Sequence, residues 1–66
     1  MNLTVNGEEH SHEGDGSLES LLGEMQAVRG RVAVMINGNV VKRKDMPTTS
    51  LADGDNVEVM IFAGGG

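Results

Sequence analysis

The end of the chain, Ala63-Gly64-Gly65-Gly66, combines a reactive group with an unusually thin backbone. Three successive glycines carry no β-carbon, and four fully extended residues reach roughly 13–14 Å. Such a tail is suited to deliver the carboxylate of Gly66 into a narrow active site on another protein. A glycine-rich end is also common as a simple frayed terminus, and the residues alone leave that alternative open.

A carboxylate at this position can carry sulfur once it is activated. ATP converts it to an acyl-adenylate, and a sulfur nucleophile then displaces AMP and leaves a thiocarboxylate. The chain contains no cysteine, so sulfur cannot be held as a persulfide, and it contains neither a phosphate-binding loop nor a catalytic constellation. We therefore predict a carrier that is not itself an enzyme and binds no cofactor, with ATP used by a partner adenylating enzyme.

Two histidines lie two residues apart, at positions 10 and 12. In a strand both side chains would face the same side, and together with Glu8 they would suggest a metal site. The best-attested metal sites need three or four ligands, however. We predict no metal site and interpret His10 and His12 as solvated residues of an edge strand.

Met60 and Phe62 are the residues best suited to docking, because they immediately precede the tail and share one face of the predicted last strand. If a helix covers the other face, both are exposed, and packing against the loop at 42–52 is the alternative. Arg43 lies in a basic run that offers a further partner contact. Charge runs in loops are usually only solvated, and we favour that interpretation of the basic run.

The apolar pattern predicts the elements that hold these residues. Leu3 and Val5 alternate with polar residues as in a strand, and Asn6-Gly7 favours a tight turn into a short polar edge strand at 8–13. Ser17 is placed to cap a helix that fades between residues 26 and 30. Its apolar face comprises Leu18, Leu21, Leu22 and Met25.

The residue pattern in the second half of the chain predicts another hairpin and a final strand. Residues 32–36 are apolar on both faces, so this strand should be central, and Asn37-Gly38 should turn it back into a short partner. Residues 42–50 contain the only proline and should be irregular. The last strand, at 57–62, should face the core with Val57, Val59 and Ile61. With one helix covering one face of the sheet, the fold is an α+β roll.

The size and net charge of the chain argue against several classes of function. Sixty-six residues make one domain, with a folded part at 1–62 and a flexible tail at 63–66. A net charge of −5 argues against nucleic-acid binding, which needs clustered cations. No apolar run approaches the roughly 20 residues that span a bilayer, and the first residues do not resemble a secretory signal. We expect a cytoplasmic protein that is a monomer when free.

In order and spacing, these segments resemble the thiamin-biosynthetic sulfur carriers, the ThiS-type members of a ubiquitin-like family. The resemblance covers essentially the whole chain. It implies a β-grasp fold, with a mixed sheet of about four to five strands and one main helix on one face. The matching segments are Leu3-Thr4-Val5-Asn6-Gly7, Leu18-Glu19-Ser20-Leu21-Leu22, Val34-Met35-Ile36-Asn37-Gly38-Asn39-Val40-Val41 with Arg43, Asp53-Gly54-Asp55-Asn56-Val57-Glu58 and the glycine tail.

The resemblance also implies a reaction cycle. A ThiF-type adenylating enzyme would activate the terminal glycine, a donor linked to cysteine desulfurase would supply sulfur, and thiazole synthase would accept it. Gly64, Gly65 and Gly66 would thread the partners' active sites. The family pattern ends in two glycines and this chain has three, so sulfur would reside on Gly66, or on Gly65 if the last residue is trimmed. An aromatic residue often found shortly after the basic position is absent, and Met46 stands in that region.

Other functions remain open at this point. The molybdopterin-synthase small subunit has the same fold and the same tail chemistry, although its members tend to be longer and often carry proline before the glycines. Another thiocarboxylate carrier, serving cysteine synthesis or tRNA thiolation, is a further alternative. From a different class come a ubiquitin-like modifier joined to lysines and a non-covalent binding module.

Overall fold

The computed structural model of the chain describes residues 1–27 and 31–62. Within these residues five strands form one mixed sheet, ordered β2-β1-β5-β3-β4, and an α-helix packs on one of its faces. This is the arrangement of the predicted β-grasp roll. The elements are β1 (Asn2–Val5), β2 (Glu8–Ser11), α1 (Leu18–Glu24), β3 (Val32–Ile36), β4 (Asn39–Val41), a 3-10 helix (Arg43–Thr48) and β5 (Asn56–Ile61).

The last strand occupies the middle of the sheet. β5 pairs in parallel with β1 and antiparallel with β3. Residues 32–36, predicted to be central, form an interior strand between β5 and the edge strand β4. The polar strand β2 forms the other edge, as predicted.

Both hairpin turns form where the Asn-Gly pairs predicted them. Asn6 and Gly7 have φ angles of 51° and 82°, and Asn37 and Gly38 have φ angles of 52° and 84°. Positive φ at both central positions is the geometry that matches the twist of the flanking strands. The sequence signal and the backbone conformation therefore agree at both turns.

The helix begins as predicted and ends earlier. The Ser17 side chain accepts a hydrogen bond from the Ser20 N–H, which satisfies one of the free donors at the first turn. The last helical residue is Glu24, and Gln26 adopts a φ of 57°, which reverses the chain. The core consists of Leu3, Val5, Leu18, Leu21, Leu22, Val32, Val34, Met46, Leu51, Val57 and Val59.

One prediction in the second half was wrong. Residues 42–50 are not irregular, because Arg43–Thr48 form a 3-10 helix that buries Met46 in the core. Ile61 lies beside the buried Val32 on the helix side of the sheet, as the alternation predicted, but 55% of it is exposed. A seven-residue helix spans only about 10 Å, so it covers Val57 and Val59 but not the end of β5.

Among the described residues, the helices are too short and too polar to cross a membrane.

Candidate functional site

β5 leads from the middle of the sheet toward the predicted reactive end. Beyond the strand, the N–H of Phe62 donates to the carbonyl of Arg31 at 2.8 Å, so backbone hydrogen bonding continues to residue 62. The three tail glycines, Gly64, Gly65 and Gly66, lie outside the described residues. Their predicted role in carrying sulfur therefore stays a prediction.

The two hairpin turns also hold β5 in place. Asn6 donates from Nδ2 to the carbonyl of Val59 at 3.1 Å and accepts the Val59 N–H at Oδ1 at 2.8 Å. Asn37 accepts the Asn56 N–H at 2.9 Å through its own Oδ1. The Asn-Gly signal predicted both turns, but it carried no information about this second use of the asparagine side chains.

An apolar surface lies on the face of the sheet opposite α1. Strand register places Ala33 beside Met60 and Met35 beside Val40, and alternation adds Phe62 to the same face. These five residues are called the open-face patch. Val40 is 71% exposed, Met60 55% and Phe62 56%. Contiguous exposed apolar residues on a small protein mark a surface for binding partners.

The path of the 42–52 segment explains this exposure. Met46 is buried in the core that α1 closes, and the backbone joins the start of α1 through bonds from Leu18 N–H to Thr49 and from Leu51 N–H to Gly16. The segment therefore packs on the helix side of the sheet, and the predicted alternative, packing over Met60 and Phe62, is not observed.

Arg43 is not part of the open-face patch. It is exposed at the start of the 3-10 helix, directly after β4, and β3 separates β4 from β5. The structure thus brings Met60 and Phe62 together and leaves Arg43 two strands away. The suggested docking role of each residue remains a prediction.

A polar cluster occupies the other edge of the sheet. Glu24 Oε1 lies 2.8 Å from His10 Nε2 and 2.8 Å from His12 Nδ1, and Glu24 Oε2 accepts the Glu13 N–H at 2.8 Å. We call His10, His12 and Glu24 the Glu24 cluster. The interpretation of both histidines as solvated was wrong, because His12 is only 3% exposed. Both do face the same side, as predicted, but their shared carboxylate comes from α1 and not from Glu8.

The hydrogen bonds of His12 indicate its tautomer. Its Nε2 accepts the Gly16 N–H at 3.0 Å, so the neutral ring carries its proton on Nδ1 and donates it to Glu24. Hydrogen bonds from His10 and then His12 lower the pKa of Glu24 to about 2. Gly14 closes the site tightly, since an added β-carbon would lie 2.6 Å from Ser20 Oγ and 2.8 Å from His12 Cε1.

A comparison with models of known protein families identifies the family of the chain. The model of the ThiS family matches residues 3–66. The chain belongs to the ThiS family. This confirms the resemblance inferred from the sequence segments, and with it the β-grasp fold.

Solved structures of similar proteins agree with the ThiS assignment. A crystal structure of a thiamine biosynthesis protein (ThiS) from Geobacter metallireducens is 38% identical, covers 100% of both chains and superposes with a TM-score of 0.80. A solution structure of a thiamine biosynthesis protein from the same organism is also 38% identical, with a TM-score of 0.78, and covers 100% of this chain and 88% of that one.

The curated relatives are much longer proteins. A thiazole synthase from Paramagnetospirillum magneticum is 36% identical over 66 residues, and one from Magnetococcus marinus is 38% identical over 66 residues. Each match covers 100% of this chain and 20% of the relative. This ThiS-family chain therefore spans a fifth of the length of the curated relatives that it matches.

Proposed function

We propose that this protein carries sulfur as a thiocarboxylate on its terminal glycine and donates it for thiazole formation in thiamin biosynthesis. The observation that carries the proposal is the match of the ThiS family across residues 3–66, which includes the glycine tail. The protein acts as a co-substrate of other enzymes in the cytoplasm. Its own fold contributes the tail and the surface that presents it.

The chemistry needs a partner that binds ATP. A ThiF-type adenylating enzyme joins the Gly66 carboxylate to AMP and releases pyrophosphate. The terminal sulfur of a persulfide, formed by a cysteine desulfurase, then attacks the acyl carbon, and AMP leaves. A second thiol cleaves the resulting S–S bond, becoming part of a disulfide, and frees the thiocarboxylate. The net change replaces one carboxylate oxygen by sulfur, and the thiocarboxylate is the nucleophile that thiazole synthase consumes.

The open-face patch supports this role, because a carrier must dock on its partners before its tail can react. Phe62 is the last described residue before the glycines, and Met60 lies beside it on the same exposed face. An adenylating enzyme that covers these apolar side chains would have the tail directed into its active site. The fixed position of β5 would then set the reach of the tail.

The named relatives favour thiazole formation over the other sulfur acceptors. Two polypeptides called thiazole synthase contain a stretch that matches the whole of this chain. Linking two partners in one polypeptide raises their effective concentration for each other. A carrier that works with thiazole synthase accounts for this association, whereas a molybdopterin-synthase subunit or a lysine-linked modifier does not.

Intact-mass measurement tests the proposal. The protein is incubated with a ThiF-type enzyme, ATP, a cysteine-desulfurase sulfur source and a thiol reductant, and a gain of about 16 Da on the C-terminal peptide is expected, because sulfur replaces oxygen. Fragmentation of that peptide assigns the sulfur to Gly66 or to Gly65. A variant lacking Gly65 and Gly66 should show no gain. A wild-type mass that stays unchanged with the cognate adenylating enzyme contradicts the proposal.

A further inference from the structure

The Glu24 cluster has the composition of a metal site and plays no part in the proposed sulfur transfer. The sequence predicted no metal site, but the structure adds Glu24 as a third ligand, and we propose that His10, His12 and Glu24 bind a borderline divalent cation of the Zn²⁺ type. Two imidazoles and one carboxylate are a common ligand set for zinc, with water completing the tetrahedron. The site would tie the edge strand β2 to the end of α1.

The ligand atoms already converge. Glu24 Oε1 lies 2.8 Å from a nitrogen of each histidine, and one possible ligand atom from each residue lies within 4.8 Å of the others. Ligands about 2.0–2.1 Å from a tetrahedral zinc stand roughly 3.3 Å apart. A cation would therefore enter by moving the carboxylate about half an ångström away from each ring and by bringing the two ring nitrogens, up to 4.8 Å apart, closer by as much as about 1.5 Å.

Backbone hydrogen bonds position the ligands. His12 directly follows β2, and its N–H donates to the Met1 carbonyl at 2.9 Å. Glu24 is the last residue of α1, and its second oxygen is held by the Glu13 N–H at 2.8 Å. Bonds of this kind orient metal ligands in known sites.

Solvent can reach the cluster from one side. The side chains of His10 and Glu24 are 30% and 24% exposed, whereas that of His12 is fully buried. A shallow depression of about 270 Å³ also opens beside His10 on the helix side of the sheet, lined by Val5, Glu8 and Met25. An ion could therefore bind the two exposed ligands first and keep a water molecule on its outer side.

Binding requires a change of tautomer at His12. A cation on Nδ1 moves the ring proton to Nε2, where Ser20 Oγ, 3.0 Å away, can accept it because that hydroxyl already donates to the Ser17 carbonyl at 3.0 Å. The Gly16 N–H, now bonded to Nε2 at 3.0 Å, loses its acceptor. The loop before α1 must adjust, so the affinity should be lower than that of a structural zinc site with fully satisfied surroundings.

Zinc titration of the full chain tests the site. We expect binding of one equivalent of Zn²⁺ by calorimetry, and a Tm that rises by about 15–20 °C at a concentration near 100 times Kd. Co²⁺ should give the visible absorption of a tetrahedral complex. The hard cation Mg²⁺ should give neither effect, because it prefers an octahedral shell of oxygens.

Three variants test whether His10 and Glu24 are ligands of the bound zinc. His10→Ala and Glu24→Gln each remove one partly exposed ligand, and we expect each to weaken Zn²⁺ binding by at least tenfold. Glu58→Gln removes an exposed carboxylate from β5 and should bind as the wild type does. Urea midpoints without zinc show that the variants are folded. Absence of binding by the wild type, or loss of binding in only one of the two ligand variants, overturns the three-ligand site. The outcome is independent of sulfur transfer, which the mass measurement tests separately.

Discussion

Small proteins usually bury their apolar side chains and expose their polar ones. The open-face patch and the Glu24 cluster are opposite exceptions, because the patch exposes apolar side chains and the cluster buries a polar one. In the patch, apolar side chains such as Met60 and Phe62 are more than half exposed. In the cluster, the polar ring of His12 is buried, and each buried side-chain nitrogen or oxygen in the described part of the chain has a hydrogen-bond partner. Among residues 1–27 and 31–62, nothing covers the apolar surface of the first region, whereas the polar groups of the second are hydrogen-bonded within the protein.

This difference indicates what each region needs. Exposed apolar surface gains free energy when a partner covers it, at about 25 cal/mol per Å², so the patch is suited to intermolecular contact. The buried histidine already stabilises the fold through its neighbours. Substitutions should therefore affect binding in the patch and stability in the cluster, and the following predictions test that separation.

The largest effect is expected at His12. His12→Ala removes a buried ring, leaves a cavity and deprives the Gly16 N–H and the Glu24 carboxylate of a partner. We expect a loss of about 2–4 kcal/mol in the free energy of unfolding, most of what a core of this size provides. Urea denaturation followed by circular dichroism measures it. His10→Ala, at a partly exposed position, is the control and should cost less than half as much.

The next effect concerns the open-face patch. Phe62→Ser should weaken binding to a ThiF-type adenylating enzyme by about tenfold or more, because it removes an aromatic contact, and should change the free energy of unfolding by less than about 0.5 kcal/mol. Calorimetry and urea denaturation measure the two quantities. Glu9→Gln, exposed on β2, is the matched surface control. A large loss of stability with Phe62→Ser would show that the side chain belongs to the core.

A smaller effect is expected at Asn6, which holds the strand that leads to the patch. Asn6→Ala loses both hydrogen bonds to Val59 and replaces asparagine by a residue that tolerates a φ of 51° less well, so we expect a loss of about 1–2 kcal/mol. Asn6→Gly loses the same bonds without the backbone strain. The difference between their urea midpoints separates the two causes. Equal stability of Asn6→Gly and the wild type would show that the bonds contribute nothing.

The smallest effect is a pH dependence at Asp15, in the loop between His12 and α1. Hydrogen bonds from Ser17, first from its hydroxyl and then from its backbone, lower the pKa of Asp15 from 3.8 to about 2. A lowered folded-state pKa means that the charged carboxylate stabilises the fold above about pH 4 and that this contribution disappears as the pH falls through about 2. Asp15→Asn should therefore lower the urea midpoint at pH 7, and the difference from the wild type should shrink toward pH 2. A difference that stays constant with pH contradicts this.

The elements of the fold could be predicted because their signals are local. The Asn-Gly pairs specify positive φ at two consecutive residues, and the spacing of Leu18, Leu21 and Leu22 specifies one helical face. The cap at Ser17 follows from the same kind of local chemistry. In each case the decisive contacts join residues only a few positions apart, so a single sequence contains the information.

The polar cluster could not be predicted, because it depends on how α1 lies across the sheet. Glu24 is 14 residues from His10 and 12 from His12, and nothing in the local pattern places the end of the helix at the β2 edge. The exposure of Phe62 was left open for a similar reason. It depended on the side of the sheet taken by the 42–52 segment, which the burial of Met46 determines.

The position of β5 has a mechanical consequence. The chain continues to its glycines from the middle strand, which has β1 on one side and β3 on the other. A pull on the tail along the strand loads the hydrogen bonds to both neighbours at once, in shear, and the Asn6 side chain adds two more to the same strand. An edge strand would instead be peeled away one bond at a time. A protein that binds the glycines and pulls on them should therefore lose its hold on the tail before the domain unfolds.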